Sequence, residues 1–342
     1  MTGSEHGAQH DTEELEFFSA AGELTCLPAR YEPELHIPAR GPLTLRHAVV
    51  GEDRPVIQYR LPLSARKDQR AREALEREAG AALSIEREYG AERYRALFTR
   101  FAGHNLDAAE PFVLYAATSA PGAEPLSRFA GRLSVEQLRA VMAQLTLVTR
   151  LLEHVGFVHR ALTPQTVWWD GKKVRVAEPY AAIPAGVPRE PYGQAPWSSP
   201  EQRSGTGAAD PRDDLWSVAQ LTYFLVAGRP AEGTGPPPDL DSYRQLAAFR
   251  DSGVFAPRAD QRPDAAQVLR LLNRPDPLAG ASGAADPLDV YRDEFERLLA
   301  AKRADLAEDP AEQGAGKGET LLVTPNGWSI LRGLAARKGG DR

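Results

Sequence analysis

Val158-His159-Arg160-Ala161-Leu162-Thr163-Pro164 is the stretch on which the reading of this chain turns. From Val158 to Thr166 it offers two basic side chains and two hydroxyls, and no carboxylate. Its neighbours place it. Upstream, Ser134 with Gln137 three residues on forms a capping-box signature. Leu138, Val141, Met142, Leu145, Val148 and Leu152 then recur at helical spacing, and Gly156 falls just past the end. Downstream, Val167-Trp168-Trp169 and Val174-Arg175-Val176 flank Asp170-Gly171, a dipeptide suited to a tight hairpin. The spacing predicts a loop held between an amphipathic helix and a β-hairpin.

Further along, Leu215 to Ala227 is apolar almost all round, as in a helix at the centre of a core. Gly228 to Asp241 is rich in Pro and Gly and reads as loop, and Asp264 to Leu272 as a short last helix. In the first half, Leu43 to Val50 and Val56 to Leu61 are β-prone runs joined by a four-residue turn. Asp68 to Tyr89 is a charged helical stretch with Leu75, Ala79, Ala82 and Leu83 along one face, and Phe112 to Ala117 is a further strand. The organisation expected is a polar tail over 1–30, a β-rich unit over 31–120, a helical unit over 121–273, and linkers over 274–342. Those linkers carry an amphipathic helix over 286–308, opened by Asp286 and Pro287, and an apolar segment over 320–334 around Trp328. Gly314 to Glu319 reads as linker, since the strand, spacing and hydroxyl of a phosphate loop are missing.

The 342 residues are 42% hydrophobic and 26% charged, an ordinary globular composition. A formal net charge of −6 without a clustered basic face excludes a nucleic-acid footprint. Cys26 is the only cysteine, so no intramolecular disulfide forms and a reducing compartment is expected. The polar start carries no secretory signal and no stretch is long enough to span a bilayer, so a cytoplasmic protein without membrane contact is expected.

The ordered motifs resemble the catalytic domain of bacterial, Hanks-type serine/threonine protein kinases. Val158 to Pro164 is similar to the catalytic-loop signature His-Arg-Asp-Leu-Lys-Pro, with two positions changed. Ser199-Pro200-Glu201 resembles the Ala-Pro-Glu motif, Asp214 resembles the residue opening the buried helix, and Gly228-Arg229-Pro230 and Arg262-Pro263 fall at similar positions. The resemblance covers about residues 31–273. It implies an α+β, two-lobed kinase-like fold, with a small β-rich lobe and a larger, mostly helical one.

Phosphoryl transfer from ATP needs cradled phosphates, a metal-neutralised charge and a base at the acceptor hydroxyl. In the segment matching the phosphate-covering loop, Ile37 to Thr44, Gly41 is the only glycine, and Pro38 and Pro42 remove donors. Tyr59 stands where the resemblance places the phosphate-binding Lys, and Ile57 where it places a small residue against the adenine. Arg60 has the needed charge, but strand alternation points it away. Glu78, at the helix Glu, is then left without its partner and is expected on a solvated face. Ala161 replaces the base Asp, Thr163 the loop Lys and Thr166 the metal-binding Asn. Glu178-Pro179-Tyr180 replaces Asp-Phe-Gly, and Glu178 alone retains a carboxylate that could ligate Mg²⁺.

What is retained holds structure. The resemblance implies that His159 and Arg160 pack the loop, that Asp214 hydrogen-bonds its backbone, and that Glu201 and Arg262 form a buried pair beside Pro200. The expectation is therefore a pseudokinase: a binding, scaffolding or regulatory module with a protein partner, no catalytic residue and no cofactor. The alternatives are a divergent kinase or other group transferase, or a nucleotide sensor. ATP and Mg²⁺ enter only with these, through Gly41, Ile57, Glu78 and Glu178.

Overall fold

The computed structural model describes residues 12–280, apart from 33, 38, 39, 92 and 118–121. Contacts divide the chain into two compact units, Met1–Ala284 and Ala285–Arg342. The helix expected over 286–308, the segment over 320–334 and the linker over 314–319 lie outside the described residues.

Two strands form where a polar tail is expected: β1 (Thr12–Ser19) and β2 (Leu24–Tyr31), paired antiparallel from Thr12↔Arg30 to Phe18↔Leu24. The cause is period-two alternation. Leu15 and Phe17 on β1, and Ala29 and Tyr31 on β2, are buried while their neighbours face outward. Three more strands follow, β3 (Leu35–His36), β4 (Thr44–Val50) and β5 (Arg54–Arg60), and then helix α1 (Gln69–Tyr89). Asp68 caps α1 by accepting from Ala71 N at 3.0 Å. Strands β6 (Phe101–Asn105) and β7 (Phe112–Ala116) complete the sheet.

The strand order is β2-β1-β6-β7-β5-β4-β3, and β2 also pairs with β4 through Ala29↔Val50, Arg30↔Val49 and Tyr31↔Ala48. The sheet thus closes on itself as a six-stranded antiparallel barrel, with the short β3 outside the ring. This corrects the fold class. The two-lobed kinase-like architecture with a large helical lobe is overturned by a closed barrel, accompanied by only three helices longer than seven residues among the described residues. The physical reason is the hairpin of residues 12–31, which satisfies both open edges of the sheet at once.

The barrel has two apolar faces. Leu15, Phe17, Ala29, Ala48, Val56 and Leu114 fill one core, and Leu45, Tyr59, Val113 and Tyr115 pack on Leu75, Ala79 and Ala82 of α1.

The remaining elements are β8 (Glu124–Pro125), α2 (Val135–His154), β9 (Phe157–Val158), β10 (Val167–Trp169), β11 (Val174–Val176), β12 (Ile183–Pro184), α3 (Pro200–Ser204), α4 (Arg212–Ala227), α5 (Ala247–Ser252) and α6 (Ala265–Leu271). Ser134 and Gln137 form a full capping box on α2, and Asp264 and Gln267 one on α6. One core joins Leu138, Val141, Leu145 and Leu152 of α2 to Leu215, Val218 and Leu221 of α4 and to Val167, Trp169 and Val174 of the β10–β11 hairpin. Gln144 ties that hairpin to α2, donating to Lys172 O at 2.8 Å and accepting from Val174 N at 2.9 Å. No helix among the described residues is long and apolar enough to cross a membrane.

Candidate functional site

The loop after β9 is fixed from below. Asp214, in the first turn of α4, accepts from His159 N at 2.6 Å and from Arg160 N at 2.8 Å. Burial pushes its carboxyl up to about 7, although both amides favour the charged form. Arg160 sits at φ 65°, a conformation unfavourable for a residue with a Cβ. Its neighbours hold it there: Gln202 donates to Arg160 O at 2.9 Å, and Arg160 Nε donates to Ala181 O at 2.8 Å.

His159 is fully buried, and burial depresses its imidazole to about 4. Nδ1 lies 3.3 Å from Ala161 N and Nε2 3.4 Å from Ala177 O. A neutral ring protonated on Nε2 satisfies both contacts.

Ala161 is buried and brings no acid or base. The loop instead closes on its own hydroxyls. Thr166 Oγ1 donates to Ala161 O at 2.5 Å and accepts from Thr163 N at 2.9 Å, and the two threonine hydroxyls are 3.1 Å apart. Where transfer chemistry needs a base, a cation and a metal ligand, there is a self-satisfied turn.

Glu201 and Arg262 are brought together: Arg262 Nη2 lies 2.8 and 2.6 Å from the two Glu201 oxygens. Arg262 pulls the Glu201 carboxyl below its usual range against the opposing effect of burial. Pro200 sits in the first turn of α3, behind the cap Ser199. The same network holds Asp213, which accepts from Ser199 Oγ at 2.7 Å and from Arg189 Nε at 2.9 Å, and lies 3.4 Å from Arg262 Nη1. Sequence reasoning missed Asp213 and Arg189. The doubled acid Asp213-Asp214 at a helix start was the available signal for the first.

The side of the sheet that packs on α1 brings the largest correction at a single residue. Glu78 is not on a solvated face: it is 2% exposed and paired. Its partner is Arg40, whose Nη2 lies 2.5 Å from Glu78 Oε1, with the arginine side chain 6% exposed. Tyr115 also donates its hydroxyl to Glu78 Oε1, at 2.9 Å. Arg40 comes from the loop expected to cover phosphates, and Gly41 follows it at φ 68°, a left-handed turn suited to glycine. Its guanidinium lies 3.6 Å from the ring centre of Tyr59 and 4.7 Å from that of Tyr180. Burial disfavours the charged arginine, but Glu78, Tyr59 and Glu178 more than offset it and leave its pKa above the ordinary value. Burial likewise raises Glu78, and Arg40 and Tyr115 pull it back only in part.

Ile57 shares the α1-facing side of β5 with Tyr59 and packs into the same cluster. Arg60 points elsewhere, to Glu34 and Glu110. Glu178 is half-buried within the electrostatic reach of Arg40 and Tyr59. Among the described residues no group of three or more His, Cys, Asp or Glu could hold a metal ion. Glu178 is the carboxylate left at the metal position, and the Thr166 hydroxyl donates to Ala161 O.

The chain matches no protein-family profile. It is 27% identical to human Serine/threonine-protein kinase MRCK gamma over 176 aligned residues, which take in 47% of this chain and 11% of that protein. The chain therefore spans about a tenth of the length of the curated relative it matches. The likeness is distant, partial and to a kinase.

Proposed function

We propose that this protein is a catalytically impaired relative of protein kinases that acts by binding a protein partner, as a scaffold or regulator. One observation carries the reading: the loop from Ala161 to Thr166 contains no acid or base and is closed by its own threonine hydroxyls. Phosphoryl transfer rests on positioning and electrostatics, so a site without base, loop cation and metal ligands lacks what lowers the barrier. Meanwhile Asp214, Arg160, Gln202, Glu201 and Arg262 form hydrogen bonds that frame the loop. A frame without its reactive groups suits recognition of a surface.

Thermal unfolding with and without ATP and Mg²⁺ tests this reading against a nucleotide sensor. A ligand at 100 times its dissociation constant stabilises the native state by about 2.7 kcal/mol, a rise of several degrees. An unchanged midpoint at millimolar nucleotide is expected. A Mg²⁺-dependent rise would move the assignment to a nucleotide-binding sensor.

A further inference from the structure

Between α1 and the loop that starts at His159 lies a cavity of about 10 Å³, room for the centre of a single water molecule. Its lining includes Ala82, Ile85 and Glu86 of α1, together with Thr99, His159 and Ala177.

The polar groups of this lining are incompletely used. His159 is 1% exposed, and its Nδ1 accepts from Ala161 N at 3.3 Å, so the proton of the neutral ring sits on Nε2. The partner that this proton meets among the described residues is Ala177 O, at 3.4 Å. Ordinary N–H···O bonds span about 2.7–3.2 Å, so the contact is long, and a buried N–H short of an acceptor is costly. Thr99 donates its hydroxyl to Val176 O at 3.0 Å and keeps lone pairs for accepting. Glu86 brings a carboxylate whose Oε1 lies 3.3 Å from Arg95 Nη2. A buried water makes about three hydrogen bonds to groups otherwise short of partners, whereas a wholly apolar void stays dry. Here one donor and several acceptors border a space of one-water size.

We propose that this cavity is the binding site of a single structural water, which accepts from His159 Nε2–H and donates to Ala177 O and a second acceptor of the lining. The water is a positioning group. It fixes the imidazole as the Nε2–H tautomer, and with it the turn at Ala161, whose amide donates to Nδ1. This goes beyond the binding role and rests on His159 and the cavity, not on the groups missing from the loop, so either conclusion can fail while the other holds.

The wild-type, full-length chain with ¹⁵N-labelled histidine tests it by NMR. The Nε2–H proton of His159 is expected to show an Overhauser cross-peak at the water frequency with the sign of a long-lived bound molecule. Under xenon pressure, the methyl resonances of Ala82 and Ile85 are expected to stay in place. A visible Nε2–H without a water cross-peak, or methyl shifts that saturate with xenon, overturns the proposal and makes the cavity a dry one. A crystal structure at atomic resolution decides the same question without relying on that proton. One solvent peak about 2.9 Å from Nε2 is expected, and no peak within the cavity overturns the proposal.

Discussion

His159 and Arg40 show how single residues work here through burial. His159 is neutral in the fold, because burial lowers its pKa from 6.5 to about 4. Above pH 6.5 the ring is uncharged in both folded and unfolded chains and costs nothing. As pH falls through 6.5 towards 4, the unfolded chain takes up the proton first and stability is lost, by up to about 3 kcal/mol. Asp214 acts with the opposite sign. Its carboxyl is raised from 3.8 to about 7, so acidification between those values favours the fold. The contribution of His159 is therefore best read as a difference. His159→Gln keeps a donor and an acceptor without titrating, and urea unfolding is expected to show the wild type's advantage over it shrinking by about 3 kcal/mol between pH 7 and pH 4. An advantage constant with pH would mean that the ring titrates in the fold as it does in the unfolded chain. At this scale the sequence was legible where the partner lies close in the motif. The placing of Asp214 beneath residues 159 and 160 was implied by the resemblance, whereas Arg40 was not foreseen at all. It lies in a proline-flanked loop and meets a carboxylate 38 positions away, a separation that no local pattern encodes.

Elements with a strong local signal were legible from their residues. The helix through Leu138 to Leu152, the Asp170-Gly171 hairpin and the helix capped by Asp68 all form where periodicity and capping place them. The hairpin of residues 12–31 was not, although Leu15, Glu16 and Phe17 alternate. Four polar or charged residues precede Leu15, and burial of a strand face depends on a partner strand distant in sequence. The hairpin joins the barrel on one side through Phe18↔His104 and Ser19↔Gly103. A Cβ at Gly103 would lie 2.4 Å from Phe18 O and 2.5 Å from Phe17 Cδ2. Gly103→Ala is therefore expected to push β1 from β6 and to destabilise the protein by about 2 kcal/mol or more. Hydrogen exchange locates the effect. Amides of β1 and β2 should lose protection while those of α2 and α4 keep theirs. Unchanged protection in β1 would show that the β1–β6 seam does not depend on the bare glycine.

For the molecule as a whole, the motifs imply one architecture and the strand pairing shows another. The aligned likeness to a kinase takes in about half of the chain, and the fold implied by the motif resemblance over about residues 31–273 missed the closure of the barrel. Closure depends on one strand pairing two others, β2 with β1 and with β4, and such a long-range event leaves no trace in spacing. The absence of a carboxylate between residues 158 and 166 was easier to read, because it is visible in the sequence itself. The central claim is that the molecule binds and does not transfer phosphoryl groups. Its most direct test is prolonged incubation with γ-labelled ATP, Mg²⁺ and a generic protein acceptor, comparing the wild type with Glu178→Ala, the variant lacking the one carboxylate left at the metal position. The account predicts label incorporation at background in both. Mg²⁺-dependent incorporation by the wild type that disappears in E178A would contradict it.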